Sequence, residues 1–86
     1  MPRISAFYGI VILMFHDDHD PPHFHAMYAG RQGVFAISPF GVIRTNLPSR
    51  AERLMRQWAR LHTDELALNW KRARDVANLV PIAPLP

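Results

Sequence analysis

Cysteine is absent from this chain, so neither disulfides nor thiol chemistry contributes to it, and a reducing compartment is compatible with that absence. Long apolar runs are absent as well. The longest, residues 6–15, falls far short of the ~20 residues that span a bilayer. A cleavable leader is not expected there either, because one basic residue, Arg3, precedes the run and His-Asp-Asp-His-Asp follows it in place of a small-residue cleavage site. The expectation is a soluble cytoplasmic protein with no membrane partner. Internal repeats and Gly/Ser-rich linkers are also missing, and 86 residues carry one domain, 1–86, with one modest core. Lysine is scarce: Lys71 stands alone among ten basic residues, the rest being arginine. The excess of basic over acidic residues, +3 with histidine neutral, permits an anionic partner without demanding one.

What the chain does have is a concentration of titratable groups. His16-Asp17-Asp18-His19-Asp20-Pro21-Pro22-His23-Phe24-His25 places four of the five histidines and three of the seven acidic residues in ten positions. Groups so crowded either share a ligand or repel one another, which makes the stretch a candidate binding site. The six residues of interest are His16, Asp17, Asp18, His19, His23 and His25.

The chain up to residue 46 reads as β structure. Residues 7–15 are aromatic and β-branched without polar alternation, which predicts one strand covered on both faces. Asp17 to Pro22 supplies turn chemistry, and residues 23–29 form the return strand. Alternation there puts His23, His25 and Met27 on one face and Phe24, Ala26 and Tyr28 on the other. Gly30-Arg31-Gln32-Gly33 reads as a hairpin connection, residues 34–38 as a third strand and residues 42–46 as a fourth. Short loops make a meander of four antiparallel strands, spanning about residues 4–46, the simplest arrangement.

The period then changes to that of helices, over about residues 49–77. Ser49 with Glu52 fits a capping box. Ala51, Leu54, Met55, Trp58, Leu61 and His62 fall on one face, with Arg53, Arg56 and Arg60 opposite. Thr63, followed by Asp64 and Glu65, reads as a second cap, and Leu66, Trp70, Ala73 and Ala77 continue an apolar face. Trp58 and Trp70 are expected in the core or at a dimer contact. The Pro-rich tail 81–86 is expected to be extended. The fold class is therefore α+β, a four-stranded antiparallel β-meander followed by two α-helices packed on one face.

Several chemistries compete for these residues. The H-x-H pair His23 and His25 points two imidazoles to one side, roughly 6.5–7 Å apart along the strand. With His16 or Asp18 brought across the hairpin, the set suits divalent Zn, Mn, Fe or Ni. The alternative is a structural or binding loop, in which histidines stack on prolines and carboxylates satisfy turn amides. Arg53, Arg56 and Arg60, extended by Lys71, Arg72 and Arg74, could track nucleic-acid phosphates or simply solvate two helix faces. Pro2, exposed as an amino terminus after loss of Met1, would resemble a tautomerase base, but those proteins follow the first strand with a helix, and here a hairpin follows.

Phe7-x-Gly9-Ile10-x-Ile12, then Asp17-Asp18-His19-x-Pro21-Pro22-His23-Phe24-His25 with Tyr28 beyond, resembles the bacterial family catalogued as domain of unknown function 4160. Leu47-Pro48 and the helical residues Trp58, Leu61, His62, Glu65, Leu66, Asn69 and Trp70 are similar to that family too, so the resemblance spans about residues 4–84. Residues 34–40 are more apolar and the first helix more basic than the family pattern, so any anion-binding role belongs to this sequence alone. The resemblance implies a small stand-alone protein encoded beside another short protein, in the manner of toxin–antitoxin pairs. It supplies no catalytic residues. The expected function is a binding module, one half of such a two-gene pair, with the His16–His25 hairpin as its recognition or stabilising loop and a basic helix face able to contact nucleic acid. The alternatives are a small metal-dependent hydrolase or nuclease built on the 16–25 hairpin, and a structural homodimer.

Overall fold

The computed structural model describes residues 3–16 and 19–86. Met1, Pro2, Asp17 and Asp18 lie outside the described residues, and with them the proline-amine reading and two of the hairpin carboxylates. Five strands precede two helices: β1 (Arg3–Phe7), β2 (Ile10–Leu13), β3 (His23–Tyr28), β4 (Arg31–Ala36), β5 (Gly41–Thr45), α1 (Ser49–Leu61) and α2 (Thr63–Arg74). The strands form one antiparallel sheet in the order β1-β2-β3-β4-β5.

The meander thus has five strands where the sequence predicts four. The apolar run read as one strand is a hairpin, folded at Tyr8 (φ 50°) and Gly9 (φ 80°). Two successive residues with positive φ are the requirement of the tight turn whose twist matches the flanking strands. Gly9 is suited to it twice over, since a Cβ there would also press on the Tyr28 ring at 3.3 Å. The same turn recurs at Ala29 (φ 49°) and Gly30 (φ 78°). It replaces the expected four-residue connection and starts β4 at Arg31 rather than at residue 34. Gly33 then lies inside a strand, where Phe35 requires it: a Cβ at Gly33 would stand 2.6 Å from Phe35 Cζ and 2.8 Å from Thr45 Oγ1.

Ile4, Phe7, Ile10, Ile12, Phe24, Ala26 and Phe35 form the sheet's contribution to the core, and Ala51, Met55, Trp58 and Ala59 of α1 with Leu66, Trp70 and Ala73 of α2 cover them. Trp58 is fully buried, its ring 5.4 Å from Phe7 and 6.0 Å from Phe24. Both tryptophans are core residues. Leu61 is not: it is 64% exposed, because the buried stripe of α1 centres between Met55 and Trp58 and Leu61 falls about a quarter turn or more away.

Neither helix uses its expected cap. Pro48, extended, occupies the position before α1 and its carbonyl accepts from the Glu52 N–H at 3.0 Å, while the Glu52 side chain turns to Arg56. A single residue, His62, joins the helices. Its carbonyl accepts from Leu66 N–H, its Nδ1 meets the Glu65 carboxylate, and the Thr63 hydroxyl donates back to the Ala59 carbonyl. The C-terminal segment after α2 is extended as expected, but it is also docked. Ile82 is buried and its N–H donates to the Ile4 carbonyl at 2.8 Å, so the segment lies along β1.

Candidate functional site

The histidine stretch joins β2 to β3 at the end of the sheet over which α2 passes. Its residues are distributed among several jobs. His16 Nε2 donates to the Ala77 carbonyl at 2.9 Å, tying the start of the hairpin to the chain just beyond α2. Asp20 faces Arg74 of α2 at 3.5 Å. His23 is 8% exposed, with its ring 5.1 Å from Trp70 and 5.3 Å from His25. His25 in turn meets the Phe15 ring edge-on at 4.7 Å. Four aromatic rings therefore run in series from α2 across β3 to the end of β2.

The His23 Nδ1–H donates to the Pro21 carbonyl at 2.7 Å. In the neutral ring this bond fixes the tautomer and leaves Nε2 as the acceptor, the arrangement that orients metal-ligating histidines. His19, Asp20, Pro21, His23 and His25 surround a hollow of about 370 Å³ together with Arg44 of β5. His16 is drawn to Ala77 instead, so the structure does not bring it to this hollow as expected. Asp17 and Asp18 lie outside the described residues. Among the described residues no three His, Cys, Asp or Glu side chains are grouped to hold a metal ion.

The strand register sets these histidines in a larger pattern. Arg3 pairs with Leu13, Leu13 with His25, His25 with Val34, and Val34 with Arg44. Residues opposite one another in antiparallel strands share a face. The five residues therefore form one row across the whole sheet, on the face opposite the helices. His25 stands at its centre, an aliphatic side chain on either side and an arginine on each edge strand. Beside this row Val11 pairs with Met27 and Met27 with Gln32. Arg3, Val11, Leu13 and Met27 line a shallow groove of about 530 Å³. Met27 and Ile43 are 37% and 46% exposed, so apolar side chains face solvent on this side. Sequence reasoning placed His23, His25 and Met27 together but missed Arg3, Arg44 and Val34, since no local pattern marks a row built from five strands.

The basic candidates divide in two. Arg53 and Arg60 are exposed on α1, and Arg56, 3.7 Å from Glu52, lies over the Phe40 ring at 5.2 Å. On α2 Lys71 is exposed, but Arg72 donates to Asn69 Oδ1 at 3.0 Å and Arg74 faces Asp20, so two of its three cations serve the fold. No helix of the structure is long and apolar enough to cross a membrane.

No curated protein and no solved structure matches this chain. A family profile matches residues 9–71, from the first hairpin turn through the histidine stretch to the last turn but one of α2, and the chain accordingly belongs to the family described as "Domain of unknown function (DUF4160)".

Proposed function

We propose that this protein is a protein-binding module, one half of a two-gene, toxin–antitoxin-like pair in a bacterial cytoplasm. Its docking surface is the open sheet face, and its partner is the small protein encoded beside it. The carrying observation is the row Arg3–Leu13–His25–Val34–Arg44. Adjacent strands lie roughly 4.8 Å apart, so the backbones of the two arginines stand on the order of 19 Å apart. Leu13 and Val34 between them are buried, and Met27 and Ile43 beside the row supply its exposed apolar surface. A complementary partner presents an apolar centre flanked by carboxylates at a similar separation, and pairing opposite charges at the rim sets the register of docking. Asp20 and His23 contact α2, and His16 bonds to Ala77 just beyond it, at one end of this face.

Co-expression with the neighbouring gene's product, followed by size-exclusion chromatography with light scattering, tests this. A complex that survives purification, is lost in Met27→Asp/Ile43→Asp and weakens in Arg3→Gln/Arg44→Gln is expected. Both apolar targets are exposed, so the variants should fold. Absence of a complex, or one indifferent to these changes, refutes the reading. A homodimer of the chain alone, broken by the same changes, would assign the face to a second copy instead.

A second reading is a metal-dependent hydrolase or nuclease on the 16–25 hairpin: the His23 Nδ1 bond to Pro21 beside His25 supports it, while no three His, Cys, Asp or Glu side chains among the described residues are grouped to hold the ion. A divalent Zn, Mn, Fe or Ni held there would activate water as a Lewis acid. Metal content of the untagged protein, compared with a folded His23→Ala/His25→Ala variant, decides it. Near-stoichiometric metal lost in the variant supports the hydrolase; the same content in both removes it.

A further inference from the structure

On the helical side of the molecule a cavity of about 180 Å³ opens between α1 and the β4–β5 connection. Ile37 and Ala59 line it with aliphatic surface, and the Phe40 ring adds an aromatic plate that is 37% exposed. Phe40 lies within 12° of parallel to the buried Phe35 ring, at 6.0 Å. The polar lining is Ser38, Thr63, Arg56 and Arg60: two guanidiniums, two hydroxyls and no carboxylate. Among the described residues Arg60 takes part in no ion pair, and Arg56 has one loose ion pair, with Glu52, and lies over the Phe40 ring at 5.2 Å.

Two cations over an aliphatic and aromatic lining select an anion that carries a flat apolar group. The cavity is smaller than the roughly 300–1,000 Å³ that enclose whole cofactors and drug-sized ligands, so it admits one base or one phosphate group. The charge also continues outside it. Arg53, Arg56 and Arg60 lie within about 60° of one another around α1 and span about 10 Å along its axis. A line of guanidiniums leading to an aromatic plate matches a repeated phosphate backbone with a splayed base, the mode by which unpaired strands are held.

We propose that the Phe40 cavity and the Arg53–Arg56–Arg60 line form a contact for single-stranded nucleic acid, one base stacking against Phe40 while flanking phosphates rest on the arginines. This goes beyond the protein-binding reading and uses a different surface, so either can fail alone.

Fluorescence anisotropy with a short labelled RNA strand at low salt tests it, with the duplex of the same sequence, free AMP and a phosphotyrosine peptide as competitors. The strand should bind in preference to the duplex. Phe40→Ala and Arg60→Gln should each weaken binding about fivefold or more, Phe40→Tyr should restore it, and Lys71→Gln should change it by less than about twofold. Arg60→Gln should also flatten the log–log salt dependence by about 0.7, one phosphate contact on a single strand. The proposal is overturned if no strand binds, if Lys71→Gln costs as much as Arg60→Gln, if AMP competes as well as the strand nucleotide for nucleotide, or if the phosphotyrosine peptide binds and RNA does not. Circular dichroism confirms that each variant is folded.

Discussion

Val76 follows the C-terminus of α2 with φ 54°, a left-handed conformation that a β-branched side chain resists. The position is imposed by the helix end: the Ala77 N–H returns to the Arg72 carbonyl at 2.8 Å, a closure that ordinarily uses glycine. Because Val76 is 67% exposed, little packing is lost on truncation. Val76→Gly should therefore stabilise the fold by up to ~1 kcal/mol, the relieved strain being partly offset by a freer unfolded chain; thermal unfolding followed by circular dichroism measures it. Asn69 presents the opposite case. It is fully buried, its amide donates to the Val80 carbonyl at 2.8 Å, and its Oδ1 accepts from Val80 N–H and from Arg72. Asn69→Leu leaves three groups without their partner, and a loss of about 3 kcal/mol or more in chemical denaturation is expected.

At the scale of elements, what the sequence revealed depended on how local the cause was. The change from strand to helix near residue 49 was legible because periodicity is a local property. The split of the first apolar run is not legible in its hydrophobicity, because Tyr8-Gly9 is a two-residue turn of the kind that leaves the run apolar on both sides. The start of β4 at Arg31 is hidden for a related reason: a glycine at residue 33 reads as punctuation, whereas here it makes room for Phe35 two positions on. Gly33→Ala should thus cost about 1–3 kcal/mol despite its better strand propensity, and Gly33→Ala/Phe35→Leu should recover part of that loss, a coupling visible in a double-mutant cycle.

At the scale of the whole molecule the C-terminal segment acts as a brace. Trp58 Nε1–H donates to the Ala83 carbonyl at 2.8 Å, Tyr8 hydroxyl to the Pro86 carbonyl at 2.7 Å, and Ile82 inserts into the core beside partly buried Leu79 and Leu85. One short segment thereby links the first hairpin, β1 and both helices. Deleting residues 78–86 strips partners from Trp58 and Asn69 and the burial of Ile82, a loss on the order of 5 kcal/mol. For a domain of this size that is most of the stability, so the truncated chain should show red-shifted tryptophan emission and weakened ellipticity at room temperature.

The sequence by itself determined the fold class, the two helices and their buried tryptophans, the presence of an H-x-H strand, and the family, because each rests on residue type and short-range spacing. Tertiary structure decided what those residues face. It drew His16 to Ala77, placed His23 on Trp70, and aligned Arg3, Leu13, His25, Val34 and Arg44 into one row. The physical reason is register. In an antiparallel sheet a one-residue slip moves every side chain to the other face, and the turns that set it, at Tyr8-Gly9 and Ala29-Gly30, act on residues far away along the strands.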